Sequence, residues 1–384
     1  MRKIYLDHNA TTPVLQEVLD SMLPFYRDKF GNPSSIHSEG RVARVSLDKA
    51  REQVAELISA KPDEIVFTSG GSESNNLAIL GVAFAPKNEK KHIVTCVVEH
   101  AAILNPLEQL ESLGFHIDYV KVDNVGRVDP KNVENALTES TVLVTIQHAN
   151  SEVGTLQNIS EIAKITKKRG ILLHSDAVQS VGKTPLNVND LNVDLLSFSS
   201  HKIYGPKGVG ALFIKRGTPA LFSLVCGGEQ EKKRRGGTEN VPGIIGFGKA
   251  CQIAQDRIAN GELGELKRLR DRLQAEIDKL IPNVEYFGCL ESGLPNTLSC
   301  GFWGANGESL FIALDMEGIS VSTGSACSSG TGVPSKVLSA MELPLSKINS
   351  SLRFSLGWEN TIEDIDFVAK ALAKAVKISR KKFL

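Results

Sequence analysis

The 384-residue chain has no excess of either charge, with 44 Lys and Arg against 44 Asp and Glu. That balance argues against nucleic acid or an anionic membrane surface as its partner. It has no segment long and apolar enough to span a membrane. The opening MRKIYLDHNATTP lacks a long apolar core, so no secretory signal is expected. None of the six cysteines (Cys96, Cys226, Cys251, Cys289, Cys300 and Cys327) stands in a C-x-x-C pair. Zinc and disulfide frameworks are therefore not expected, nor is any metal site. Scattered reduced thiols fit the cytoplasm. There is no internal repeat and no low-complexity tract. The glycine turn FTSGGSESNN has no Gly-Lys-Ser/Thr after it, which excludes a Walker loop.

What is present is alternation. Short apolar runs at 64–68, 92–98, 116–122, 141–147, 171–175, 195–198 and 209–214 read as seven strands. Amphipathic or capped stretches such as 74–85 and 160–169 lie between them. The pattern predicts an α/β fold with a largely parallel sheet. Before it come a short strand at 3–7 and a helix start at Thr12-Pro13, with Thr as cap and Val14, Leu15, Val18, Leu19 and Met22 as stripe. A polar loop at 30–40 and a long helix over 41–59 follow. Composition shifts after about residue 259. Leu263, Leu266, Leu269, Leu273, Ile277 and Leu280 repeat at helical spacing until Pro282. Strands at 297–302 and 351–355 follow, then a last helix capped by Thr361 with Asp364 in a capping box. The expected domains are a large one over 15–258 and a smaller α+β one built from 1–14 and 259–384.

The chemistry concentrates in residues 171–205. One apolar run ends in Asp176 and Gln179, the next in Ser199, Ser200, His201 and Lys202. Ligands of parallel sheets sit beyond the carboxyl ends of the strands. An acid and a lysine at two such ends suit pyridoxal phosphate: the amine holds the aldehyde and the acid pairs with the ring nitrogen. Taken singly, each would read as a surface residue or a helix cap. The turn around Gly71 and Ser72 offers backbone N–H groups at a helix start for a phosphate. By itself that turn equally fits an ordinary strand-to-helix connection. His100, in VVEHAAIL, and Asn150, in QHANSEVG, end further strands. Cys327 lies in SVSTGSACSSGTGVPSK, a Ser/Gly/Thr-rich stretch expected to be a mobile loop. The other five cysteines, mostly among apolar neighbours, are expected to be buried and inert. Arg353 suits a substrate carboxylate. His37, His116 and His148 read as structural. The basic run in EKKRRGGTEN reads as a solvated loop.

HSDAVQS followed by SSHKIYGPKG resembles the pyridoxal-phosphate cysteine desulfurases of the NifS/IscS-like group, within the class V aminotransferases. The resemblance covers nearly the whole chain, and Gly324-Ser325-Ala326-Cys327 matches that group's nucleophile loop. It implies the aminotransferase-like fold type I and a homodimer. It places the cofactor phosphate near Gly71, Ser72, Ser199 and His201, with Thr238 reaching it from the neighbouring subunit. His100 would stack on the ring and handle protons, and Asn150 and Gln179 would approach the 3-oxygen. Asn9, Asn150 and Arg353 would lie near the substrate. The implied activity converts L-cysteine to L-alanine, with Lys202 removing the Cα proton and Cys327 taking the sulfur as a persulfide. The sulfur would pass to an iron–sulfur scaffold or a thiolation acceptor. Other readings are a selenocysteine or cystine lyase, a class V aminotransferase, and a non-catalytic sulfur-trafficking protein. Intact Lys202, Asp176, His100 and Cys327 favour the desulfurase.

Overall fold

The computed structural model describes residues 3–323 and 334–381. Its strands run in chain order from β1 (Ile4–Tyr5) through β2 (Ile65–Thr68), β3 (His92–Cys96), β4 (His116–Val120), β5 (Thr141–Thr145), β6 (Leu172–Asp176), β7 (Leu195–Ser199) and β8 (Gly210–Ile214). The last seven form one sheet in the order β2-β8-β7-β6-β5-β3-β4. Pairings from β7 through to β4 are parallel, whereas β8 runs antiparallel to both β7 and β2. The reversal follows from length. Only residues 200–209 join β7 to β8, too few for the crossover that a parallel neighbour needs.

Strands covered on both faces must be apolar in both directions, which is why these runs are continuous rather than alternating. Leu195 and Leu212 share a core with Leu77, Ile79, Ile103 and Leu107, from helices Gly71–Ala83 and Ala101–Ser112. Their neighbours Leu196 and Phe213 belong to the opposite core, with Leu47 and Phe247 from helices Ser38–Leu57 and Val241–Ala259. A third core gathers Ile4, Leu6, Leu273, Ile277, Phe302, Phe354 and Leu372. It underlies an antiparallel sheet of β9 (Val284–Phe287), β10 (Thr297–Phe302), β12 (Ser322–Thr323) and β13 (Ser351–Ser355), while β11 (Ile319–Ser320) pairs in parallel with β1. The capping box forms, Thr361 N donating to Asp364 at 3.0 Å and Asp364 N to Thr361 at 3.2 Å. Among the described residues no helix is long and apolar enough to cross a membrane.

Three expectations from the sequence give way in the structure. Thr12 does not cap a helix; the first one begins at Gln16. The Thr12 hydroxyl instead donates to His201 O (3.1 Å) and accepts from Tyr204 N (2.8 Å). The long helix starts at Ser38, inside the expected loop, because His37 Nδ1 accepts from Gly40 N and caps it. Of the five cysteines expected in the interior, Cys96, Cys251 and Cys300 are buried, but Cys226 is exposed and Cys289 half-exposed. Leu221 and Leu224 pack against the core, but the chain then turns outward, leaving Val225 and Cys226 exposed before Gly227-Gly228.

The loop carrying RGGTEN is anchored from inside. Glu231 accepts from Arg51 at 2.8 and 2.5 Å and from Phe67 N at 2.9 Å. Its side chain is only 3% exposed. Arg51→Met would leave that carboxylate buried without its cation, at a cost of about 3 kcal/mol or more. A clear fall in thermal midpoint is expected; an unchanged midpoint would show that the pair does not hold the loop.

Candidate active site

The carboxyl ends of β2, β3, β5, β6 and β7 converge on a cavity of about 330 Å3. Asp176 closes β6 and is 6% exposed. Its two oxygens accept from Asn75 Nδ2 at 2.7 Å and Val178 N at 2.9 Å, which fixes the carboxylate plane. Lys202 closes the 3-10 turn after β7. Its Nζ donates to the carbonyls of Asn9 (2.5 Å) and Ala10 (2.7 Å). Gln179 donates to Asn9 O at 2.9 Å. Both predicted groups, the acid and the lysine, therefore line one cavity.

One wall of the cavity is an anion cradle by construction. Gly70 takes φ 153° and leads into helix Gly71–Ala83. A Cβ on Gly71 would stand 2.7 Å from Val178, so only glycine lets the turn approach. Ser199 Oγ is buried there with no hydrogen-bond partner among the described residues. Ser72 opens the helix and lines the cavity. Backbone N–H groups at a helix start favour an anion. His201 shares a hydrogen bond with Thr11 Oγ1 at 3.1 Å. Burial, reinforced by the ammonium groups of Lys202 and Lys207, pushes His201 down to about 4, so its ring is neutral.

His100 caps helix Ala101–Ser112, its Nδ1 accepting from Ala102 N at 3.1 Å, and it lines the cavity. Arg353 enters from β13. Its Nη2 pairs with Asp7 at 2.6 Å and its Nη1 donates to Ser151 O at 3.0 Å. Its Nε is buried without a partner among the described residues. Asn9 is held by Thr297 and Ser151. Asn150 lies just outside the lining, between Ala149 and Ser151. Its amide is engaged locally with Val98 O and the N–H groups of Glu152 and Val153. Thr238 is exposed and lines a separate cavity of about 170 Å3 beside Thr68 and Ser69. Cys327 lies outside the described residues. The chain on either side of 324–333 adjoins the site: Ser322 is in register with Arg353, and Ser335 Oγ donates to Glu152. His148 and His37 serve structure, His148 bonding Ser180 and pushed down to about 4 by burial.

Sequence reasoning passed over three ionisable groups here. Lys183 is fully interior, donating to Asn9 Oδ1 (3.1 Å) and Gln179 Oε1 (3.0 Å). Burial first, then Lys202 and Arg353, push it well below the ordinary lysine value. Its spacing of four from Gln179 was the available signal. Glu99, beside His100, accepts from Cys96 Sγ at 3.0 Å and Gln147 N at 2.7 Å, and burial pushes it up to about 8. Glu152 is pushed up to about 7, again by burial.

The Aminotransferase class-V family matches residues 4–368. A cysteine desulfurase IscS of Dictyoglomus turgidum is 50% identical over 98% of this chain and 95% of its own length. One from Clostridium botulinum is 45% identical over 99% of this chain and 96% of its own length. A solved NifS-like protein superposes with a TM-score of 0.91 at 38% identity, covering 98% of this chain and 100% of that one.

Glu99 gives the site a testable pH signature. Its folded value of about 8 stands above the ordinary 4.5, so between those values the fold holds a proton that the unfolded chain has lost. Its contribution is complete below the ordinary value and is lost as pH rises toward the folded one. Glu99→Gln keeps the shape without the charge. The stability of this variant relative to the parent should rise across that window by on the order of 4 kcal/mol. Denaturant titrations of both proteins along a pH series check this; parallel profiles would mean that Glu99 titrates as an ordinary carboxyl.

Proposed function

The chain belongs to the class-V aminotransferase family, and within it we infer a pyridoxal-phosphate-dependent cysteine desulfurase that converts L-cysteine to L-alanine. The observation that carries the reading is Lys202 and Asp176 lining one cavity at the ends of adjacent parallel strands. Ser199 Oγ, without a partner among the described residues, and the glycine-lined start of helix Gly71–Ala83 fit the cofactor's phosphate. Ser72 and His201 would hold it as well, and Thr238 of a second subunit would complete the grip. Asp176 would face the ring nitrogen, Gln179 and Asn150 the region of the 3-oxygen, and His100 the ring face. When bound, pyridoxal phosphate supplies an electron sink for negative charge at the substrate Cα.

The protein's own groups then divide the work. Arg353 would take the substrate carboxylate through its guanidinium, whose Nε–H has no partner among the described residues, with Asn9 alongside. Lys202 Nζ is the base for the Cα proton. The Asn9 and Ala10 carbonyls, which only accept, keep that amine aimed at the cavity. The thiolate of Cys327 attacks the substrate sulfur; an S–S bond forms, the C–S bond breaks, and its electron pair stays on carbon. His100 carries protons at Nε2, because Nδ1 is engaged by Ala102 N–H. Alanine leaves and the sulfur stays on Cys327 as a persulfide.

The persulfide would supply an iron–sulfur scaffold protein or a thiolation acceptor in the cytoplasm. The large domain over 15–258 would carry the cofactor, and the smaller one, 1–14 with 259–384, the nucleophile. A homodimer is supported by apolar residues left in solvent on one stretch of chain: Tyr26 at 63%, Phe30 at 71%, Ile36 at 91% and Val45 at 69% exposure. The exposure of Thr238, outside its own chain's site cavity, supports a role for it in a neighbouring subunit's site.

Two experiments test these roles. Cys327→Ser should keep the yellow cofactor and exchange the cysteine α-proton with solvent deuterium, yet release no alanine; Lys202→Ala should lose both. Alanine release at the parent rate from Cys327→Ser would remove the nucleophile. For the dimer, Thr238→Ala mixed with Lys202→Ala should form heterodimers in which one of two sites is complete and active. No recovery in the mixture, or an active monomer, would sink the shared site.

A further inference from the structure

The far end of the large sheet, where the parallel strands begin, holds a second cluster of donor groups. β3 and β4 each open with a histidine, and His92 and His116 are register partners. Asp118 stands two residues beyond His116 on edge strand β4. Side chains two apart on a strand share a face, as do register partners, so all three project together. His92 Nε2 lies 3.2 Å from Asp118 Oδ2, and His116 Nε2 lies 3.4 Å from Asp118 Oδ1. The imidazole rings stack with centroids 5.2 Å apart. One donor atom from each residue falls within 4.8 Å of the others.

We propose that His92, His116 and Asp118 form a binding site for a divalent first-row transition cation of the Zn2+ class, separate from the cofactor site. Two imidazoles and one carboxylate are a donor set that Zn2+ accepts. With bonds of about 2.0–2.2 Å, tetrahedral ligand atoms stand roughly 3.3–3.5 Å apart. The two nitrogen–oxygen separations are near that size but run to the two different carboxylate oxygens, so side-chain shifts within the 4.8 Å cluster would gather one donor from each residue onto the cation. A support behind the ligands is also in place. His92 is 2% exposed, and its Nδ1 lies 2.7 Å from Thr141 Oγ1 and 3.0 Å from Thr138 Oγ1. A hydroxyl either donates or accepts. The threonines therefore serve the empty cluster, in which His92 Nε2–H donates to Asp118. They serve equally the loaded one, in which Nδ1 carries the proton and Nε2 binds metal. Entry is open, since the His116 side chain is 74% exposed and that of Asp118 40%. Water would complete the coordination. The occupied site would clamp edge strand β4 to β3.

The test uses tag-free holoenzyme titrated with Co2+. Saturable visible bands of nitrogen- and oxygen-bound cobalt, reversed by Zn2+, are expected. His116→Asn, at an exposed position, should weaken binding by roughly tenfold or more. That variant should leave desulfurase turnover unchanged. Zn2+ should raise the thermal midpoint of the parent and not of His116→Asn. Three results would overturn the site: no saturable cobalt spectrum, a spectrum dominated by thiolate-to-cobalt charge transfer from a cysteine, or unchanged affinity in His116→Asn. His92→Asn gives an independent check on the buried ligand, and binding equal to the parent there would also overturn it.

Discussion

The carbonyls of Asn9 and Ala10 accept from Lys202 Nζ, and the site depends on the strap of chain that presents them. Residues 7–12 cross from the C-terminal core to the large sheet and are tied at nearly every position. Asp7 pairs with Arg353 on β13. Asn9 meets Lys183, Gln179, Thr297 and Ser151. Thr12 locks onto the turn that carries His201 and Lys202. The strap begins as β1, paired to β11, so it is fixed to the C-terminal core before it reaches the cavity. One stretch of backbone thereby aligns the lysine from the large sheet with the arginine from the small one. On the proposed reading, preorganisation of this kind would remove orientational freedom from Lys202 and Arg353 before substrate arrives.

Around that strap, burial decides which groups carry charge. Lys183 is driven toward its neutral amine, which spares Lys202 a second ammonium beside it. Glu99 is driven toward its neutral acid, close to Asp176 and His100. His201 is held neutral by burial and the surrounding lysines. Each ionises freely in water and is suppressed here by the cost of desolvating its charged form. The interior thus contains hydrogen-bonding groups that orient their neighbours without adding competing fields. The pairing of Arg51 with Glu231 solves the same problem in the opposite way, by bringing the counter-charge inside.

The sequence determined the elements whose cause is local. Strands such as 195–198 and 209–214 were visible because burial on both faces demands unbroken apolar runs. β10 and β13 have the bounds read from their residues, and the Thr361–Asp364 box depends on groups three apart. Asp176 and Lys202 were legible because polar residues closing apolar strands point to the ligand edge of a parallel sheet. The antiparallel course of β8 was also implicit in its short connection from β7, although the alternation of strands and helices pointed the other way.

Tertiary structure decided whatever depends on partners distant along the chain. Thr12 has the residue type of a helix cap, but a carbonyl and an N–H near residue 200 win its hydroxyl. Cys226 has apolar neighbours, yet exposure belongs to the path of the whole segment. Lys183 looks like a surface lysine until packing removes its water. His92, His116 and Asp118 have no telling spacing, and only the register of β3 against β4 sets them on one face. Local pattern fixes which backbone a residue adopts. Hydrogen-bond partners, desolvation and register are set by closure of the chain, and no window of sequence contains them.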